Sequence, residues 1–474
     1  MICVVIKGPS VEDIRRQLSN LHPKVDLIEF RIDCFANRNK WELEILLKEC
    51  TFPFIFTLRD RSQGGSYLGD ERKRIEEIRQ LASLKPQYFD LESHLPLNII
   101  QELREEYPEI KWIISYHQFE KRPSDLNEIF NVIKKIPGDL YKIVLQGCNT
   151  LDALKMLKLI KLSEHPLIGI SMGEEGQISR ILGEIFGSPL TYVCHEEDEN
   201  NELGQLSANQ LFCIYRSSIY NKNTEIYGLI GDPVTTSISH QTHNAFFYQK
   251  QINAIYVRMR IQDFQLGEFF QLAKELNIRG LSVTMPLKEK VIPYIDVLEP
   301  SAQNILAVNT VKIWNDKIYG FNTDGVGALD AVEKFCLLRN KSILILGIGG
   351  AAKAIIYEAL NRGAIVFLYN RTFKKAKDLK ERYLKIGKQV EVLKNLEAFD
   401  YDILINCTSV DNPIDPEDVL REKIVMDIKT FPFKNPFTES AKKKNCRVVY
   451  GYEMFINQAL GQFKIWFGDL LSWS

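Results

Sequence analysis

From Ser342 to Thr372 the chain reads SILILGIGGAAKAIIYEALNRGAIVFLYNRT: an apolar run, a glycine turn, a helix-forming stretch, then a second apolar run ending in Asn370, Arg371 and Thr372. Order and spacing are those of a nucleotide-binding βαβ unit. Gly347 permits the tight turn, Gly349 lets the backbone approach a pyrophosphate, and Ala352 is small enough for the helix to pack closely on the first strand. The amides that open the helix are then free to take phosphate oxygens. The end of the second strand selects the dinucleotide. A carboxylate there would hold a ribose 2′-hydroxyl; this chain has Arg371 instead, with Lys374 and Lys375 just beyond, which suits a 2′-phosphate. NADP(H) is the expected cofactor, contacted by Gly347, Gly349, Gly350 and Ala351 at the turn and by Asn370, Arg371, Thr372 and Lys375 after the second strand.

This unit occupies a small part of 474 residues, and that length, with 45% hydrophobic content, supports two or three separate cores. Net charge is −1 with Lys and Arg spread along the chain, so neither nucleic acid nor an anionic membrane is an expected partner. Small molecules are. The N-terminal MICVVIKGPS is too short an apolar run for a signal peptide. Nine scattered cysteines, without CxxC pairing or zinc spacing, point to free thiols in a reducing cytoplasm and to no metal.

The first 220 residues have a different rhythm. Short apolar runs at CVVIK, DLIEFRI, FIFTLR, YFDLE, WIISYH, YKIVL, LIGIS and LTYV are each followed by a helix-periodic segment. Such alternation fits a (β/α)8 barrel, in which catalytic groups sit at the C-terminal ends of the strands. The polar residues obey that geography: Glu29 and Arg31 close the second strand, Arg59 the third, Asp90 and Glu92 the fourth and His117 the fifth, while Lys142 lies within the sixth. Charge inside a barrel is costly unless it is used or paired. Lys142, with aromatic and branched neighbours in YKIVL, has the apolar setting expected to lower an amine's pKa and make it a carbonyl nucleophile, with a Schiff base as its natural use. Taken singly, Lys142 also reads as a strand-end lysine snorkelling to water and His117 as a satisfied core histidine. Adjacent strand-end positions favour a shared site.

The motifs EFRID, TLR, FDLE, SYH, YKIVL, ISMGEEGQISR and ELGQLS, in that order, resemble the strand-end motifs of type I 3-dehydroquinate dehydratases from Met1 to about Ile219. The resemblance implies an imine between Lys142 and a substrate ketone, proton removal by His117, a carboxylate grip by Arg180, and ring-hydroxyl contacts from Glu29, Arg31, Arg59 and Gln205. The chain departs from the pattern at Gln63, where many relatives carry glutamate, and at Asn201, where many carry serine. Five acids and two asparagines from Glu196 to Glu202 suit a mobile lid or a solvated loop. On the residues alone, an aldolase remains an alternative Schiff-base enzyme.

The helix-forming ANQLFCIYRSSIY ends the barrel, and a short polar linker at 221–224 leads into the fresh strand EIYGLIG. Beyond it come GDPVTTSISHQTHNAFF, LSVTMPLKEKV, AVNTV and GFNTDGVGAL, an α/β pattern with polar loops after its strands. Ser237 and Ser239 can bind a carboxylate, Lys288 can supply a proton, and Asp324 can orient it. Together with Thr284, Asn309, Asn322, Thr323, the glycine turn, Thr408 and the stretch from Gly451 to Gln458, these resemble shikimate dehydrogenases. That likeness implies reduction of 3-dehydroshikimate, with Lys288 and Asp324 handling the proton, Ser237, Ser239, Thr284, Asn309 and Gln458 binding substrate, and Thr408 and Gly451 adding to the cofactor site. Ser282 stands in place of a usual asparagine and His240 in place of a usual proline. A quinate-preferring enzyme or a silent sensor remains the alternative for this half.

The expected architecture is therefore an α/β chain: residues 1–221 a barrel, 225–325 a substrate lobe, 326–450 a Rossmann NADP-binding lobe, and 451–474 a C-terminal helix that returns to the substrate lobe. Since 3-dehydroquinate dehydration yields 3-dehydroshikimate, the two halves would run consecutive steps of one cytoplasmic route.

Overall fold

The computed structural model describes residues 1–36, 40–119, 125–196, 204–396, 399–432 and 434–468. The expected lid from position 197 onward, Asn201 included, lies outside the described residues, as do the last six of the C-terminal segment. The chain divides into two compact units: Met1–Leu229 with Val234–Ile261 and Gly267–Ile278, and Ile230–Pro233 with Gln262–Leu266 and everything from Arg279 onward.

Eight strands form the first sheet: β1 (Ile2–Ile6), β2 (Leu27–Arg31), β3 (Phe54–Thr57), β4 (Tyr88–Glu92), β5 (Lys111–Gln118), β6 (Leu140–Gln146), β7 (Leu167–Met172) and β8 (Thr191–Cys194). All neighbouring pairs are parallel, in the order β7-β6-β5-β4-β3-β2-β1-β8. The barrel is thus nearly closed. Among the described residues β7 and β8 are the two ends of the ladder, and the Tyr192 carbonyl on β8 accepts a 3.4 Å hydrogen bond from the Arg180 guanidinium. The apolar interior combines Cys3, Leu27, Ile55, Ile113, Leu140, Val144, Ile168, Ile170 and Tyr192, with Tyr88 of β4 packed against them. Side-chain caps start most of the surrounding helices, with Ser10, Asp70, Asp125, Asn149 and Ser207 each accepting from a first-turn amide.

A second sheet contains β9 (Glu225–Gly231), β10 (Ala254–Arg260), β11 (Ile278–Val283), β12 (Val297–Leu298), β13 (Thr310–Trp314) and β14 (Lys317–Phe321), in the order β10-β9-β11-β13-β14-β12. The third contains β15 (Ser342–Leu346), β16 (Ile365–Tyr369), β17 (Val390–Val392), β18 (Ile403–Asn406), β19 (Ile424–Asp427) and β20 (Arg447–Tyr450). Every pair in it is parallel, and the order β17-β16-β15-β18-β19-β20 is the 3-2-1-4-5-6 arrangement of doubly wound dinucleotide folds. Alternate residues serve two apolar layers. Ile343, Ile345, Val366, Leu368, Ile405 and Met426 pack with Ala352, Ile355 and Ile356 on one face, while Leu344, Leu346, Leu404 and Val425 pack with Phe437 and Ala441 on the other. Ala352 is fully buried, as its small size requires. No helix among the described residues is long and apolar enough to cross a membrane.

Candidate active sites

Inside the barrel, strand alternation turns Leu140, Lys142 and Val144 inward and sends Tyr141 to the helix layer, where its hydroxyl donates to the Ile136 carbonyl at 2.9 Å. The aromatic and branched residues beside Lys142 in sequence therefore do not surround its amine, which corrects the expectation drawn from YKIVL. Its neighbours are charged. Lys142 Nζ lies 3.1 Å from Asp90 Oδ2 and 3.4 Å from Glu29 Oε1, with the Tyr192 ring centroid at 3.9 Å, and the residue is only 5% exposed.

The carboxylates are themselves held. Asp90 also takes Arg59 Nη2 at 2.8 Å and the Ser115 hydroxyl at 2.6 Å, and Ser115 in turn accepts from Arg59 Nη1 at 2.7 Å. Burial would raise the Asp90 carboxyl, but Arg59 and then Lys142 outweigh it and hold the group well below the usual carboxylate range. Glu29 accepts from the Thr57 hydroxyl at 2.8 Å. Arg31 forms a two-point pair with Asp33 at 3.0 and 2.7 Å, so in the free protein it already has a partner at the end of β2.

His117 sits two residues beyond Ser115 on β5, and Ser115 is level with Lys142 on β6, which places the imidazole one layer nearer the strand ends. Its Nδ1 is buried with no hydrogen-bond partner among the described residues. Burial, then Arg59 and Lys142, pushes its pKa well below the ordinary histidine value, so the ring is neutral and able to accept a proton. The backbone amide of His117 donates to Gln63 Oε1 at 2.9 Å. Gln63 thus ties the β3 loop to the end of β5. Arg180, 6% exposed, has a buried Nε without a hydrogen-bond partner among the described residues. Burial lowers it to about 10, still a cation at neutral pH. Gln205 follows Gly204, whose missing side chain lets it press on the Gly173 carbonyl just past β7.

The second constellation belongs to the second unit. Lys288 Nζ is hydrogen-bonded to Asp324 Oδ2, and Asp324 Oδ1 accepts from Asn309 Nδ2 at 2.8 Å. Asn309 Nδ2 also lies 2.9 Å from Thr323 Oγ1 and 3.4 Å from Gln458 Oε1, and its Oδ1 takes the Thr323 amide at 2.9 Å. Asn322 caps the turn, donating to the Ala307 carbonyl and accepting the Asp324 amide. Thr284 anchors its loop through its amide to the Ile230 carbonyl at 2.9 Å. The C-terminal helix Gly451–Phe467 returns to these strands: Thr323 Oγ1 donates to the Gln458 carbonyl, Gln462 Nε2 to the Asn309 carbonyl, and Trp466 Nε1 to the Val311 carbonyl. Ser282 is turned to that helix, donating to Gln462 Oε1 at 2.9 Å. In the first unit, Ser237 and Ser239 share a 2.8 Å hydroxyl contact at the start of the helix Ser239–Gln249, and His240 is buried and held neutral near pKa 4, by burial and then by Arg258.

The glycine turn and the Lys288–Asp324 pair meet. A Cβ on Gly350 would lie 3.3 Å from Lys288 Cβ, and Lys353 on the same helix pairs with Glu289 at 2.8 Å. The helix Gly350–Asn361 has no side-chain cap, a Cβ on Gly349 would meet nothing within 4 Å, and Gly347 needs its φ of +93°. A dinucleotide's phosphates fit that open cradle. Thr408 borders it, its methyl 3.0 Å from a Cβ at Gly347. Arg371, Thr372 and Lys375 are exposed beyond β16, beside half-buried Asn370, whose side chain donates to the Thr372 carbonyl. Gly451 touches the Lys429 carbonyl where a Cβ would come within 2.2 Å.

Sequence reading missed three contributors. Tyr192 and Ser115 face Lys142 and Asp90, and strand alternation in LTYV and WIISYH could have flagged both as inward. Asp427, 1% exposed, binds Asn406 Nδ2 at 3.3 Å, Asn435 Nδ2 and the Lys429 amide, while Asn406 Oδ1 holds Thr408. Nothing local in the sequence announces that network. No group of three or more His, Cys, Asp or Glu among the described residues could hold a metal ion.

Known proteins share this combination. A family model for type I 3-dehydroquinase matches residues 2–222, one for the shikimate dehydrogenase substrate binding domain matches 229–311, and one for shikimate / quinate 5-dehydrogenase matches 330–429. The shikimate biosynthesis protein AroDE of Chlamydia pneumoniae is 35% identical over 100% of this chain and 96% of its own length. The chloroplastic bifunctional 3-dehydroquinate dehydratase/shikimate dehydrogenase of Arabidopsis thaliana is 30% identical over 99% of this chain and 82% of its own. Among solved structures, shikimate dehydrogenase from Aquifex aeolicus matches with a TM-score of 0.50 and 35% identity, covering 53% of this chain and 96% of that one. With relatives matched over 99–100% of this chain and both constellations present in one polypeptide, the chain belongs to the family of bifunctional 3-dehydroquinate dehydratase/shikimate dehydrogenases.

Proposed function

We propose that this chain dehydrates 3-dehydroquinate to 3-dehydroshikimate at Lys142 and reduces that product to shikimate at Lys288 and Asp324, with residues 1–221 serving the first reaction and 225–474 the second. The observation that carries the reading is that one chain holds both a buried amine between two carboxylates and a Lys–Asp pair pressed against a nucleotide turn.

In the barrel, Lys142 Nζ adds to the substrate ketone, and one water leaves as the imine forms. Neutral His117 takes a proton from the adjacent carbon, and the freed electron pair moves into the imine as an enamine. The enamine then expels the hydroxyl one carbon further on, which leaves as water with the proton returned by His117. Hydrolysis of the imine restores the amine. Asp90 and Glu29 supply the negative field that favours the cationic imine, and Arg180 pairs with the substrate carboxylate.

In the second half, Gly349, Gly350 and Ala351 would hold the dinucleotide phosphates, with Asn370, Arg371, Thr372 and Lys375 at the ribose and Thr408 and Gly451 bordering the cofactor. Arg371 and the exposed lysines, with no acid among them, favour NADP over NAD. The bound cofactor supplies a hydride. Lys288 delivers the proton to the oxygen that becomes the hydroxyl, and Asp324 keeps the ammonium aimed. Ser237 and Ser239 offer hydroxyls for the substrate carboxylate, while Thr284, Asn309 and Gln458 orient the ring.

Purified protein given only 3-dehydroquinate and NADPH tests the reading. Shikimate should appear with stoichiometric NADPH oxidation. Accumulated 3-dehydroshikimate with NADPH unspent would reopen the second half.

A further inference from the structure

Tyr192 lies on β8 facing the barrel interior, and its ring centroid is 3.9 Å from Lys142 Nζ. The residue is 3% exposed, yet its hydroxyl has no hydrogen-bond partner among the described residues. An apolar ring would give the amine the same face contact without burying a hydroxyl, and an unpaired buried hydroxyl is costly. Such an atom, beside the reacting amine, fits a partner that arrives with the substrate.

We propose that Tyr192 is a catalytic residue of the barrel, whose ring face stabilises the cation at Lys142 Nζ and whose hydroxyl donates a hydrogen bond to an oxygen of the bound substrate. The ring's negative face attracts the cation in either form, ammonium or protonated imine. On its other sides the amine has Asp90 and Glu29, so cation stabilisation comes from both carboxylates and ring. Burial, followed by the charges of Glu29, Cys3 and Asp90, pushes the phenol well above its ordinary value, so the hydroxyl keeps its proton throughout the working range. The hydroxyl is therefore a neutral donor. Its partner must be an acceptor, and a hydroxylated keto acid joined to Lys142 carries several. The proposal rests on imine formation at Lys142.

The test is Tyr192→Phe in the full-length chain, with 3-dehydroquinate kinetics, 3-dehydroshikimate reduction, and borohydride trapping at Lys142 as the control that the barrel is folded. Phenylalanine keeps the ring and its packing. Trapping at Lys142 and reduction should persist, while dehydration kcat/KM falls roughly three- to tenfold, the loss of one neutral hydrogen bond. Tyr192→Leu, which removes the ring as well, should fall further by roughly fivefold. Wild-type kcat/KM in Tyr192→Phe, with Lys142 still trapped, would overturn the role of the hydroxyl. Wild-type protein that fails to trap at Lys142 would instead overturn the imine reading and take this proposal with it.

Discussion

Replacing Asp90 by asparagine preserves shape and removes one charge from the most crowded point in the barrel. Every neighbour of that carboxylate donates to it: Arg59 at 2.8 Å, Ser115 at 2.6 Å and Lys142 at 3.1 Å. An amide must turn its NH2 toward one of them. Removing one partner of a buried ion pair costs about 3–5 kcal/mol. Arg59 keeps Ser115 at 2.7 Å and Glu92 at 3.9 Å, which places the expected loss near the lower end, about 3 kcal/mol. Because the folded Asp90 pKa is depressed, its contribution is present above the unfolded value of about 3.9 and fades as pH falls through the lower folded value. The deficit of the variant is therefore full at pH 7 and shrinks only in strong acid. Pulse proteolysis of the full chain in urea, with barrel fragments identified by mass, should show the barrel's midpoint lowered by about 1 M. Dehydratase activity should fall with it while 3-dehydroshikimate reduction stays intact. An unchanged midpoint with undiminished dehydration would refute the idea that Asp90 anchors Arg59 and Lys142.

Since burial, Arg59 and Lys142 hold His117 neutral, the acid limb of dehydration kcat/KM should lie below the ordinary histidine value of about 6.5; a limb at or above that value would contradict its burial as the base. Arg371→Asp should weaken NADPH far more than NADH, measured by fluorescence titration, and equal losses would remove Arg371 from the 2′-phosphate. Asp427→Asn places an amide among three donors, Asn406, Asn435 and the Lys429 amide, and should loosen the Thr408 loop. NADPH affinity should drop by about tenfold while dehydration is unaffected, and an unchanged titration would show that the loop does not depend on Asp427.

The rhythm of apolar runs and helical segments and the glycine turn made both architectures readable, because each depends on local pattern: eight short apolar runs each followed by a helix-periodic segment for the barrel, and the order strand, Gly347, helix, strand for the nucleotide unit. The interior of the barrel was only half legible. Lys142 was visible as a misplaced charge, but its surroundings come from β2, β4 and β8, and sequence neighbours on the same strand face the opposite way. Ser282 and Gln462 are 180 positions apart, so no local pattern announces the buried hydrogen bond that ties this serine to the last helix. Asp427 illustrates the same limit, since its value lies in three donors assembled by the ends of β18 and β19 and by the helix that Asn435 caps. Arg31 pairs with Asp33, two residues away, a pairing set by the local backbone at the end of β2.

The most direct measurement treats the full-length protein with 3-dehydroquinate and borohydride, maps the reduced adduct by peptide mass spectrometry, and assays 3-dehydroshikimate reduction on the same trapped sample. An adduct on Lys142, with dehydration abolished and NADPH-dependent reduction retained, is the outcome of two independent sites on one chain. An adduct on another lysine, or reduction lost together with dehydration in a protein that remains folded, would contradict it.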